Sequence, residues 1–130
     1  MRIELESRPD HLYALATGSF DHAQLEGILK DIFAESSRQG LRKILIDIRT
    51  LEGNISVLAR HDAGEMVAKF QREPVRLTIV GTKNQIWPDR FMENVANNRG
   101  VTTKVTIDMA EALEWLRRDA VHKPAGGDVK

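Results

Sequence analysis

The feature that most constrains this chain is a change of hydrophobic period along its length. Two stretches of period two come first, at 2–6 (RIELE) and 11–17 (HLYALAT). Helix-period stretches then alternate with strand-like stretches at 43–48 (KILIDI), 75–80 (VRLTIV) and 101–107 (VTTKVTI). A period of two places alternate side chains on opposite sheet faces, whereas apolar residues three and four apart line one side of a helix. SRPD at 7–10 is turn chemistry, so the opening pair is predicted to form a hairpin.

The first helix is predicted after Asp21 and Gln24, which fit a capping box, with Leu25, Ile28, Leu29, Ile32 and Phe33 as its apolar side. Gly40 supplies the left-handed residue that ends it. The second covers roughly 55–71, with Ile55, Leu58, Ala63, Met66, Val67 and Phe70 on one side, and Pro74 bars its continuation. Pro88 opens a third, bearing Phe91, Met92, Val95 and Ala96, and Asn97-Asn98-Arg99-Gly100 stops it. A fourth follows the Asp108–Glu111 capping box with Met109, Ala112, Leu113 and Leu116.

The order β-β-α-β-α-β-α-β-α predicts an α/β fold with a mixed five-stranded sheet, parallel after the opening hairpin. Strands of a sheet covered on both faces are apolar throughout, whereas these alternate. The four helices are therefore expected mainly on one face. The other face is expected to be partly wet or to meet a partner, and Tyr13, Leu15, Leu45 and Val80 would form an apolar patch there suited to a homodimer.

The 130 residues are 42% hydrophobic and 29% charged, which suits one globular domain. That domain is expected to span 1–118, with a disordered tail at 119–130 (HKPAGGDVK closing it). The formal net charge of zero argues against a nucleic-acid binder. No cysteine is present, which excludes thiolate metal sites and cysteine nucleophiles. No apolar run approaches the roughly 20 residues of a membrane span, and MRIELESRPD does not read as a signal peptide, so the expected location is the cytoplasm.

Three segments carry a family resemblance: ILIDIRTLEGNIS (44–56), LTIVGTKNQIW (77–87) and DMAEALEWLR (108–117). Together they resemble the SpoIIAA-like family, also called STAS/SEC14-like, whose fold is that of anti-sigma-factor antagonists. In such antagonists an Asp ends the third strand, and a phosphorylatable serine opens the next helix within an Asp-Ser-Ser-Gly run. Asp47 matches the strand-end acid, and Ser56 falls at the phosphoserine position by spacing, although its neighbours here are Ile55, Val57 and Leu58. The resemblance implies a non-enzymatic regulatory or protein-interaction module. It also implies, as the alternative, a carrier or sensor of a lipid-like apolar ligand.

The candidate partner surface comprises Asp47, Arg49, Glu52, Gly53 and Ser56 after the third strand and Gly81, Thr82, Lys83 and Trp87 after the fourth. The C-terminal ends of strands in open α/β sheets are where ligand sites collect. A serine at a helix start caps exposed amides, and a phosphate there meets the positive helix end, so Ser56 is also the candidate phosphosite. A lipid-like ligand would lie between the second and third helices, among Phe70, Trp87, Phe91 and Met92. Gly81-Thr82-Lys83 lacks the spacing of a phosphate-binding loop. His61 and Glu65 share a helix face, but Asp62 is read as pointing elsewhere and no third ligand is placed, so no metal and no other cofactor is expected. His11, His22 and His122 are isolated, and spacing proposes no catalytic triad, so no enzymatic activity is expected.

Overall fold

The computed structural model describes residues 1–86 and 91–118. Trp87, Pro88 and the expected tail at 119–130 lie outside the described residues. The chain opens with strands β1 (Arg2–Ser7) and β2 (Leu12–Thr17), followed by helix α1 (His22–Gln39), strand β3 (Lys43–Asp47) and helix α2 (Val57–Phe70). Strand β4 (Arg76–Val80), helices α3 (Lys83–Ile86) and α4 (Phe91–Asn98), strand β5 (Thr102–Thr106) and helix α5 (Met109–Arg117) complete it. The region expected to hold one third helix thus contains both α3 and α4.

The sheet order is β1-β2-β3-β4-β5, so every strand lies beside its sequence neighbours. β1 and β2 are antiparallel, and the remaining pairs are parallel. This is the predicted mixed sheet. The register aligns Leu12 with Ile44, Ile44 with Leu77, and Leu77 with Thr103. One sheet face therefore presents Leu12, Ala14, Ile44, Ile46, Leu77 and Val105 to Leu29, Ile32 and Phe33 of α1, Val67 of α2, and Met92 and Ala96 of α4.

Local signals behave as their chemistry requires. Asp21 accepts from the Ala23 amide at 3.0 Å, and Gly40 closes α1 at φ 70°. Gln24 does not complete the capping box; its Oε1 accepts instead from the N-terminal ammonium at 3.1 Å. Asp108 accepts from the Ala110 and Glu111 amides at 2.9 and 3.2 Å, while the Glu111 carboxylate takes the Thr106 hydroxyl. Leu58, expected on the core side of α2, is 63% exposed, and its neighbour Ala59 is buried in its stead. The helix begins two residues later than the apolar spacing suggests, at Val57 after the Ser56 cap, and Leu58 faces outward in its first turn.

α5 lies on the face opposite α1, α2 and α4. Ala112 and Leu116 cover Leu45 and Val80, both fully buried. The guanidinium of Arg76 sits 3.8 Å from the Trp115 ring centroid, and its Nε donates to the Trp115 carbonyl at 3.0 Å. The expected open dimer patch is therefore closed at Leu45 and Val80 by α5, while Tyr13 and Leu15 stay half-buried. Among the described residues no helix is long and apolar enough to cross a membrane.

Candidate functional site

Parallel pairing brings the C-terminal ends of β3, β4 and β5 to one edge, since Asp47 is level with Val80 and Val80 with Thr106. Two loops leave this edge, 48–56 after β3 and 81–82 before α3. The last residue of β3 points to the α5 side, where Tyr13 stands on the neighbouring strand. Tyr13 donates its hydroxyl to Asp47 Oδ2 at 2.8 Å. Arg49 donates to the same carboxylate three times: from its amide at 3.1 Å and Nε at 3.0 Å to Oδ1, and from Nη2 at 2.9 Å to Oδ2. The guanidinium of Arg8 lies 4.1 Å from the Tyr13 ring centroid.

This cluster sets the ionisation of its members. Burial pushes the Asp47 carboxyl up, but the hydrogen bonds from Arg49 and Tyr13 outweigh it, leaving the pKa below the ordinary carboxylate value. Burial, then the hydrogen bond to Asp47, pushes the Tyr13 phenol up. The hydrogen bond to Asp47 raises the Arg49 guanidinium further. Asp47 was expected on the partner surface, yet it is only 2% exposed. Its work is to hold Arg49, whose side chain is 44% exposed, at the edge.

The rest of the loop is tied by its backbone. The Glu52 amide donates to Gly18 O at 2.8 Å and the Phe20 amide to Glu52 O at 2.7 Å, forming a short parallel bridge to the β2–α1 connection. Gly53 turns at φ 96°, a left-handed conformation that glycine adopts without strain. Ser56 is exposed and caps α2, accepting from the Ala59 amide at 3.1 Å. Val57 and Leu58 follow it into solvent at 58% and 63% exposure. Ile107, just past β5, is 57% exposed at the same edge.

Gln85 joins the two loops, a role that no sequence signal marks. Its Nε2 donates to Ile48 O at 2.7 Å and Leu51 O at 3.1 Å, while its Oε1 accepts from the Thr82 amide at 2.7 Å. Gly81 makes this possible: a Cβ there would lie 2.9 Å from Gln85 Oε1 and 3.2 Å from the Ile86 side chain. Gly81 is thus buried for close packing, while Thr82 and Lys83 are exposed. A glutamine on a short helix has no spacing signature, and only the folded backbone reveals which carbonyls it reaches.

Behind the edge lies an apolar cavity of about 120 Å³. Ile3 and Ile46 of the sheet, Ile28 of α1, Ala63 of α2 and Phe91 and Met92 of α4 are among its walls. Of the four residues named for an apolar pocket, Phe91 and Met92 line this cavity. Phe70 is not among the lining residues; it ends α2 and packs against the main core. The cavity is bounded by α1 as well as by the helices after it, so it is not confined to the space between the second and third helical regions.

No protein-family model and no curated protein matches the chain. Among solved structures, an anti-sigma factor antagonist from Mycobacterium paratuberculosis is similar at TM-score 0.60 and 14% identity, over 89% of this chain and 93% of that one. The solution structure of the protein TM1081 is similar at TM-score 0.50 and 15% identity, over 92% and 91%. The Bacillus cell fate determinant SpoIIAA, in its phosphorylated form, gives a looser likeness, with TM-score 0.44 and 16% identity over 89% and 100%. The likeness to the first of these extends over nine-tenths of the chain, and the fold is the STAS fold of anti-sigma-factor antagonists.

Proposed function

We propose that this protein is a non-enzymatic regulatory module that captures a folded protein partner at the C-terminal edge of its sheet. One observation carries the reading. Of the four large hydrophobic side chains exposed among the described residues, Val57, Leu58 and Ile107 lie at this edge, and only Leu5 lies elsewhere. Exposed large apolar side chains at one end of a sheet are candidates for an interaction surface. Arg49 stands on the same edge as a cation prepositioned by Asp47, and arginine beside apolar anchors is typical of contact centres. The Mycobacterium protein of the same fold is named as an antagonist of an anti-sigma factor, which favours a protein as the partner.

The test is affinity capture from source-cell extract with the wild-type chain, Leu58→Asp and Arg49→Ala, each checked by circular dichroism. The partner recovered by wild type is expected to fall about tenfold or more with each variant. Undiminished recovery by both folded variants would sink this surface. Ser56 belongs to the same surface as a modification site: a phosphate on its hydroxyl would add charge beside Val57 and weaken an apolar contact.

The cavity favours a second reading, a carrier or sensor of a lipid-like ligand. Its volume of about 120 Å³ suits a small ring or a short alkyl segment. Native mass spectrometry of protein from its own cells separates the readings. Added mass lost on denaturation would favour the carrier, and bare protein would leave the partner-binding reading alone.

A further inference from the structure

Asp62, read from spacing as pointing away from His61 and Glu65, instead joins them on α2, and the fold brings His22 of α1 to the same group. His61 Nδ1 lies 3.5 Å from Glu65 Oε1 and 3.7 Å from Asp62 Oδ1. Donor atoms of these three residues all fall within 4.8 Å of one another. A tetrahedral ion with bonds of about 2.0–2.1 Å separates its donors by roughly 3.3 Å, so the two short edges already approach that spacing. His22, the first residue of α1, adds a second imidazole: its Nε2 is 2.9 Å from Asp62 Oδ2.

The neighbours are compatible with an ion there. Arg99 donates to Glu65 Oε2 at 2.7 Å, which fixes that carboxylate while leaving Oε1 turned toward His61. The His61 ring packs against Phe91 with centroids 5.8 Å apart, which limits its rotamers. His61, Asp62 and Glu65 are all part-exposed, so an ion can reach them. With neutral imidazoles the two carboxylates outweigh the single guanidinium, and the local charge is negative.

We propose that His61, Asp62 and Glu65 bind one borderline divalent cation of the Zn²⁺ type, with His22 orienting the Asp62 carboxylate from α1. Mixed imidazole and carboxylate donors suit zinc, cobalt or nickel better than the all-oxygen preference of calcium or magnesium. His22 is a positioning residue in this arrangement: a hydrogen bond to the far oxygen of a ligating carboxylate holds its orientation.

The test uses the untagged full chain, stripped with chelator and titrated with zinc chloride by calorimetry, then with cobalt(II) while visible absorption is recorded. The expected result is one ion per chain with a micromolar Kd and a cobalt band removed by excess zinc. His61→Gln and Glu65→Gln should each abolish the band. His22→Ala should raise the Kd about tenfold while leaving the band in place. His122→Ala should change nothing. No heat and no band up to millimolar ion would overturn the site, as would binding that survives His61→Gln and Glu65→Gln in chains whose circular dichroism matches wild type.

Discussion

Asp47 is the residue on which the edge depends. Its folded-state pKa lies below the ordinary value, so its stabilising contribution is present above the unfolded pKa of about 3.9 and is lost as pH falls through the folded one. Tyr13 is shifted upward, so its contribution is present below about pH 10 and is lost as pH rises through its folded pKa. Asp47→Asn is expected to lower stability at pH 7 by about 2 kcal/mol, to flatten the acid limb of the stability profile below pH ~4, and to move the Tyr13 phenol titration to lower pH. Denaturant unfolding at several pH values and an ultraviolet titration of the phenol read out these effects. A variant with wild-type acid sensitivity would mean that Arg49 and Tyr13 do not stabilise this carboxylate. Ser56→Ala removes the cap of α2 and should cost about 1 kcal/mol in the same assay. The cap was legible because a serine before an apolar period has one obvious local use. The burial of Asp47 was not, because its two side-chain partners come from residues 13 and 49, and only the pairing of β2 with β3 brings Tyr13 across.

At the scale of elements, the packing of α2 on α4 rests on Gly64. A Cβ at that position would lie 2.7 Å from both Cβ and Cγ1 of Val95 and 3.1 Å from the Met92 carbonyl oxygen. Gly64→Ala should therefore force the helices apart and destabilise the fold by about 1–3 kcal/mol, despite the better helix propensity of alanine. Adding Val95→Ala should recover part of that loss, and thermal unfolding of the single and double variants measures it. An alanine variant as stable as wild type would show that the two helices separate freely. Helix identity was legible from apolar spacing, because α1 and α5 each bury the side that their period marks out. Helix placement was less so. The alternation of β3 and β4 was taken to leave one face open, yet Leu45 and Val80 are the very residues that α5 needs. A period of two gives each strand two faces and does not tell which of them a later helix will cover.

At the scale of the molecule, Leu116 is the last core residue among those described. A chain ending at residue 118 keeps every described core residue, and it is expected to fold and to melt within a few degrees of the full chain. Loss of cooperative melting in that truncation would mean that the last twelve residues take part in the fold. Pairing direction was legible, since a hairpin followed by strand–helix alternation makes the sheet mixed; the strand order was not, because alternation alone does not say beside which strand each new one is added. The proposed surface was legible only as an edge, because Val57, Leu58 and Ile107 are recognisable as exposed only once the remaining hydrophobes have found their places.

The sequential strand order also sets a timetable. A chain emerging from the ribosome can add each strand to the one before it, from β1 through to β5, with no gap waiting for a later insertion. The helix that shields Leu45 and Val80 is the last of the described elements to appear. Throughout synthesis the nascent sheet therefore carries a bare apolar flank, and it is in that interval, rather than in the finished protein, that this molecule is most open to sticking to another copy of itself.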